Sequence, residues 1–323
     1  MNPVTLQISL TPNDYKHSFY LLEHQLQTWS TQVSEILLIY DSNKSNGRFG
    51  KNWEETNLSM LELIQLIKKK YPNIVYSEVD YSPECREIVS KFFFKGLCPK
   101  KDFRGGPFYA YFYGIYKAKY DYVFHIDSDT FFGGQSSTWL SEALELMQKY
   151  PKILITSPLP GPPHPDHILI DQFCIKSSLT QYAFEFTHMS TRLFLIDRRK
   201  LYNNLKIMFP NIRSILKAIF EDNPPYALPE EVISRFMLAE KFIRIDLKGA
   251  SPGMWSVHPP FRTATFYTTL PQLIVRITKN DVTPDQMGFY DITDSMCDWT
   301  EARNKLKKER WWKKLFNKLI LVT

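Results

Sequence analysis

Asp127, Ser128 and Asp129 stand at the end of the apolar run Tyr122 to Ile126 and are followed closely by Gly133 and Gly134. Carboxylates at i and i+2 of one strand point to the same face. With no Lys or Arg beside them in sequence, the two would repel unless something positive lay between. Mg²⁺ or Mn²⁺ takes hard oxygen ligands, often one or two carboxylates together with substrate phosphates. The spacing therefore leads us to expect a divalent cation on Asp127 and Asp129, bridged to a phosphate ester. Asp and Ser also terminate strands for turn-forming reasons alone, and a bare D-x-D is common by chance. The apolar strand before it and the Gly-Gly after it add a buried central strand that opens into a cleft.

Further residues could serve such a cleft. Asp41 follows the short apolar run Ile36 to Tyr40, and Arg104 precedes Gly105-Gly106 at the end of an irregular basic and aromatic loop from Lys91. An arginine there could donate charge-assisted hydrogen bonds to a diphosphate. Glu230 and Glu231 follow Pro229 at a helix start, where a general base could stand, although the helix dipole favours acids at that place regardless of function. His258 in Ser-Val-His-Pro-Pro is a candidate third metal ligand, since imidazole suits Mn²⁺; a plain loop histidine would look the same. Asp41 likewise fits a turn with Ser42 and Asn43. His125, inside the strand, reads as core, and His164, Asp166 and His167 lie in a proline-bound loop that makes a poor metal cage.

These residues need a scaffold. Val4 to Leu10 alternates like a strand, Tyr20 to Trp29 has helical spacing, and Ile36 to Tyr40 is a second strand, so the chain opens β-α-β. A helix over Met60 to Lys70, a strand over Ile74 to Val79 and a helix over about 108–119 follow. The last carries Ala110, Gly114 and Ala118 four apart, a stripe suited to close packing, and leads into the D-x-D strand. Beyond it we expect a helix over Leu140 to Lys149, a strand over Ile153 to Thr156, a proline-rich loop over Ser157 to His167, a strand over Ser190 to Asp197, and helices over Arg198 to Met208 and Pro229 to Lys241. Alternating strands and helices predict an α/β fold with a mostly parallel, Rossmann-like central sheet and ligands at the carboxyl ends of its strands.

The 323 residues, 44% of them hydrophobic, suffice for one large core. No apolar run approaches the roughly 18 residues of a membrane span, and the N-terminus lacks signal-peptide character, so the expected location is the cytoplasm. Cys85, Cys98, Cys174 and Cys297 form no C-x-x-C pair and read as reduced thiols. Of the net charge of +6, more than the whole resides from Arg303 onward, where eight basic residues face the single acid Glu309. That distribution argues against a nucleic-acid partner for the main domain. The expected organisation is thus a catalytic domain over 1–300 and a basic amphipathic helix over 301–323. Trp312, Leu315, Phe316, Leu319 and Ile320 lie along one face of that helix, with Lys313, Lys314 and Lys318 opposite. Through residues 303–323 it would contact an anionic membrane at its inner face, unless the apolar stripe packs back onto the domain.

Taken together, the segments resemble the GT-A glycosyltransferases, and within them the family 2 nucleotide-sugar-dependent enzymes. The resemblance lies in the opening strand with Thr11-Pro12-Asn13, in ILLIYDSN, in RGGPFYAYFYGIYKAKYDYVFHIDSD, in LPEEVISRF and in MWSVHPP, and it spans residues 4–262. It implies a GT-A fold, with Asp41 at the nucleotide base. Asp127 and Asp129 would form the metal motif, Asp127 also reaching the ribose, and His258 would be a third ligand for Mn²⁺ or Mg²⁺. Glu230 or Glu231 would be the base of an inverting enzyme. The implied reaction is hexosyl transfer from a nucleotide-diphosphate sugar, a UDP-sugar foremost, to a glycan or lipid-linked acceptor hydroxyl. The acidic pair is Glu-Glu where the family usually has Glu-Asp, and no Gln-x-x-Arg-Trp follows it, which disfavours a processive synthase. Two other classes stay open: a haloacid-dehalogenase-like phosphohydrolase, whose Asp-x-Asp-x-Thr the segment superficially fits, and an inactive GT-A-like binding module.

Overall fold

The computed structural model describes residues 2–44 and 53–308. In chain order the elements are β1 (Val4–Leu10), α1 (Tyr15–Trp29), β2 (Glu35–Tyr40), α2 (Trp53–Lys70), β3 (Ile74–Glu78), α3 (Pro83–Phe93), α4 (Phe108–Lys117), β4 (Tyr122–Asp127), β5 (Phe131–Gly133), α5 (Trp139–Lys149) and β6 (Ile153–Pro160). There follow β7 (Ile175–Lys176), β8 (Ala183–Phe186), β9 (Leu193–Asp197), α6 (Ile212–Phe220), α7 (Pro229–Glu240), β10 (Ile243–Leu247), β11 (Trp255–Val257) and α8 (Ala264–Thr278), with a further helix over 300–308. The expected basic helix falls mainly on residues 309–323, which lie outside the described residues.

The sheet runs β3-β2-β1-β4-β9-β6-β10-β8-β7, with β11 joining β6 and β5 at one end. The four leading strands are parallel, as are the β6–β10 and β6–β11 pairs, while β9 enters antiparallel between β4 and β6. This is the α/β architecture with a mostly parallel central sheet that the alternation of elements predicts.

Period-2 patterning decides which helices cover which face. Leu6 and Ile8 of β1 and Phe124 and Ile126 of β4 pack with Leu22, Leu26 and Trp29 of α1 and with residues of α2 and α5. Leu37 and Ile39 of β2 and Val123 of β4 face the other way, onto Phe108 and Phe112 of α4 and Val232 and Ile233 of α7. A third cluster joins Phe131, Trp255, Phe266 and Leu270, and so fastens β5, β11 and α8 to the end of the sheet. The small-residue stripe of α4 has a specific use: a Cβ on Gly114 would lie 2.9 Å from Gln7 Nε2 and 3.3 Å from Ile39. A side chain there would have to push the Gln7 amide aside, and glycine leaves it in place.

Two expectations change. The strand after α5 continues through Pro158 and Pro160, where a loop was expected from Ser157. The prolines are tolerated because Leu159 and Gly161 supply the N–H groups, to Met254 and Ser256 oxygens. The helix expected over Arg198 to Met208 is a single 3-10 turn, Arg198–Leu201. Asn203 then adopts φ +50, and the chain bonds back to Phe92 and Phe93 through the Asn203 and Leu205 amides.

Candidate active site

The carboxyl ends of β1, β2 and β4 lie side by side, and the residues that leave them build the site. β4 ends at Asp127. The next residues form a turn closed by the Thr130 amide on the Asp127 carbonyl at 3.2 Å. Asp129 is therefore not a strand residue, and the same-face geometry expected for an i, i+2 pair does not hold. The two carboxylates take different partners.

Asp127 keeps to the α4 side. Its Oδ1 lies 3.2 Å from His125 Nε2, and His125 Nδ1 in turn bonds the Gln7 side-chain oxygen. Gln7 and His125 are paired in register across β1 and β4, under Gly114. His125 is buried, as the sequence suggested, but it also orients Asp127. Sequence gave no sign of that second role.

Asp129 is buried at 1% exposure. Its Oδ2 accepts a bond from His258 Nε2 at 3.1 Å and another from the Arg262 guanidinium. Burial alone would raise its pKa; His258 and Arg262 more than offset this and hold the carboxyl well below the usual range. For His258 burial disfavours the imidazolium, and Asp129 outweighs it, so the pKa is raised. His17 of α1 reaches the same turn, its Nε2 3.0 Å from Ser128 Oγ. Burial, then the charge of Arg262, pushes its pKa down to about 3, so it stays neutral. Asp14, at the start of α1, is pushed up to about 6 by burial against the opposing pull of Arg262. Arg262 thus stands among acids, with 45% of its side chain open to the cleft. Nothing in the sequence reading singled out Arg262, His17 or Asp14; the nearest signal was Arg262 four residues after His258.

A resident divalent cation on Asp127, Asp129 and His258 needs three donors facing one point. Among the described residues no three His, Cys, Asp or Glu side chains are so grouped. Asp129 already holds a guanidinium and an imidazole N–H. The Asp127 and Asp129 carboxylates are thus each engaged by side chains of the protein itself.

Asp41 follows β2 and is buried, with Tyr81 donating to its Oδ1 at 3.0 Å and Lys101 Nζ 3.3 Å from its Oδ2. Lys101, another residue that sequence did not single out, comes from the loop noted only as basic. Arg104 belongs to a turn in which Asp102 Oδ1 accepts from the Arg104 and Gly106 amides at 2.7 and 2.9 Å. Its guanidinium lies 5.7 Å over Phe103, and among the described residues no hydrogen bond or ion pair joins it to Asp127 or Asp129.

The acidic pair of α7 divides. Glu231 is exposed and its Oε2 accepts the Leu228 amide at 3.0 Å, capping the helix. Glu230 is half-buried, takes a 3.3 Å bond from Thr191 Oγ1 and lines a cavity of about 340 Å³ between β6, β11 and α7. Arg192 and Tyr290 line the same cavity, and Arg192 Nη1 lies 3.4 Å from His258 Nδ1, so the cavity adjoins the Asp129 group. Its wall also holds the Arg244–Asp246 pair, bonded at 2.8 and 2.7 Å. Gln172 Nε2 and Ser256 Oγ, two more lining groups, are buried without a hydrogen-bond partner among the described residues.

No protein-family profile matches the sequence, and no curated protein matches it. Among solved structures the chain is similar to the galactosyltransferase LgtC in complex with donor and acceptor sugar analogues, at 9% identity over 61% of this chain and 58% of that one, TM-score 0.32. It is also similar to TarS of S. aureus in complex with UDP-GlcNAc, at 10% identity over 88% and 68% of the two chains, TM-score 0.36. A third similarity is to a UDP-glucose pyrophosphorylase complexed with UDP-glucose, at 10% identity over 77% and 92%, TM-score 0.37. At these identities no residue correspondences follow.

Proposed function

We propose that this chain is a GT-A-type glycosyltransferase that moves a sugar from a nucleotide-diphosphate sugar, a UDP-sugar foremost, to an acceptor hydroxyl. The observation that carries the reading is the cavity beside the β4 turn. It offers Glu230, a carboxylate without a cationic partner among the described residues, next to the cationic Arg262–His258 group and to two unpartnered polar atoms that sugar hydroxyls would satisfy.

In this reading Asp41, braced by Lys101, meets the nucleoside, and Arg262 and His258 meet the diphosphate. Charge-assisted bonds there stabilise the negative charge that grows on the leaving group. Glu230 accepts the acceptor's proton as its oxygen bonds the anomeric carbon, and the carbon–oxygen bond to the diphosphate breaks with its electron pair leaving on the phosphate. Asp246 is tied to Arg244, so among the described residues Glu230 is the carboxylate of the cavity lining without a cationic partner, and the imidazole of His188 lines the same cavity. With Glu230 as the base, the reading is a single displacement with inversion, one sugar per turnover.

Calorimetric titration with UDP and GDP, each in EDTA and in Mn²⁺, tests the reading. UDP or GDP should bind the folded protein more tightly than the corresponding monophosphate. If neither binds under any condition, the transferase reading falls and hydrolysis of phosphate esters becomes the next assay.

A further inference from the structure

We infer that α6 is a membrane-docking element that rests on the surface of an anionic bilayer beside the active-site cleft. The helix is built outside in. Ile212, Leu216, Ile219 and Phe220 fall on one arc, and they are 76%, 54%, 65% and 91% exposed. Phe209, just before the helix, is 64% exposed, and Ala218 is the one helix residue that is buried. A contiguous apolar face of this kind on a helix surface marks a contact with something else.

The helix is not a frayed end. Asn211 Oδ1 caps it by accepting the Ser214 amide at 3.0 Å. The whole excursion is closed at its base by the Ala227 amide on the Met208 carbonyl at 2.9 Å, and by the rings of Phe209 and Tyr226 stacked at 5.6 Å. The apolar face is therefore held outward.

Charge selects the occupant. Arg213 and Lys217, one turn apart, border the apolar arc next to Leu216 and Phe220, and Lys206 lies just upstream; Glu221 and Asp222 follow the helix, Glu221 lying 3.7 Å from Lys217 Nζ. An apolar stripe edged by cations that can lie along it with their charges in the headgroup layer is the pattern of an interfacial helix. Residues 312–320 repeat the apolar-and-lysine pattern in sequence, and two weak signals together make a stable peripheral attachment. The base of the excursion also bonds the turn before α4, through the Phe103 amide on the Tyr226 carbonyl at 2.8 Å, and α7 with Glu230 begins immediately after it. Docking through α6 would set the cleft beside the lipid headgroups.

Hydrogen exchange measured by mass spectrometry on the full chain tests this locally, whatever the activity of the enzyme. Vesicles of phosphatidylcholine with about one third phosphatidylglycerol should slow exchange in peptides spanning 207–221 by about tenfold, and pure phosphatidylcholine should do so far less. Ile219→Glu with Phe220→Glu, both at exposed sites, should remove the protection without lowering the thermal midpoint. The inference is overturned if the protein does not bind the vesicles. It is equally overturned if bound protein leaves 207–221 unprotected, or if protection develops without vesicles as protein concentration rises, which would mark a protein–protein face.

Discussion

Replacing Arg262 by Ala removes one of the two cations on Asp129 and leaves a carboxylate of 1% exposure with His258 alone. Truncating one partner of a fully buried pair costs about 3–5 kcal/mol. Here 45% of the Arg262 side chain is open to solvent, and screening lowers the expected loss to about 1–2 kcal/mol at neutral pH. The sign with pH is fixed by Asp129, whose folded pKa is held below its unfolded value. Such a group stabilises the fold above the unfolded pKa and loses that contribution as pH falls through the folded one. The deficit of the variant should therefore be full at pH 7 and shrink in strong acid. For the diphosphate, loss of a charge-assisted donor is worth about 1.5–3 kcal/mol, or roughly 10- to 150-fold in affinity, and the uncovered Asp129 adds repulsion. Calorimetry of UDP binding in EDTA at pH 7.5, with urea denaturation in parallel, measures both effects. Adding Asp129→Asn to the variant should restore part of the stability, since a buried neutral amide costs less than a buried carboxylate that has lost one of its two cations. Arg262→Ala binding UDP within about twofold of wild type, an order of magnitude short of the expected loss, would refute the assignment of the phosphate contact to this arginine. Appearance of Mn²⁺-dependent binding only in the variant would show that the guanidinium occupies the place a cation could take.

Two further outcomes follow from the site. Asp14, 20% exposed, has its pKa raised to about 6, mainly by burial; stability from its neutral form is present below the unfolded value near 4 and lost as pH rises through about 6. Asp14→Asn should then be more stable than wild type by about 1–2 kcal/mol at pH 8, within the roughly 3 kcal/mol that a two-unit shift represents, with the gain gone by pH 4; a gain independent of pH in denaturation curves would contradict this. Glu230→Gln should lower turnover about 10²- to 10⁴-fold with UDP affinity kept, whereas Glu231→Ala should cost about 1 kcal/mol of stability as a lost cap and leave turnover nearly unchanged. Equal loss of turnover in both would return Glu231 to the chemistry.

The sequence was legible where a local pattern coincides with a local structure. The opening β-α-β, the glycine-opened helix leading to Asp127, and the proline-started helix with Glu230 all follow from periodicity, caps and turn residues read over ten or fifteen positions. It was misleading where a strand stopped two residues early: Asp129 in a turn, rather than two places along a strand, sends its carboxylate to different partners. It was silent where contacts cross the chain. Arg262 lies 133 residues from Asp129 and His17 lies 111 residues from Ser128, and no single-sequence pattern connects them. Arg198 to Met208 misled for a related reason, since apolar spacing suited a helix while the Asn203 turn and the docking to Phe92 and Phe93 favoured an irregular course.

The helix α4 spans ten residues, about 15 Å at a rise of about 1.5 Å per residue. Its start is gripped by Asp102 through the Gly106 amide, close to Lys101 and Asp41, and farther along Gly114 rests on Gln7, which holds His125 and so Asp127. One helix therefore links the Asp41–Lys101 group to the Asp127–His125–Gln7 group. A push at either end moves along it rather than bending it. In the proposed reading, a base against Asp41 and a sugar near Asp127 would rest on residues held by the two ends of one helix, so a change in the depth at which it docks would disturb both.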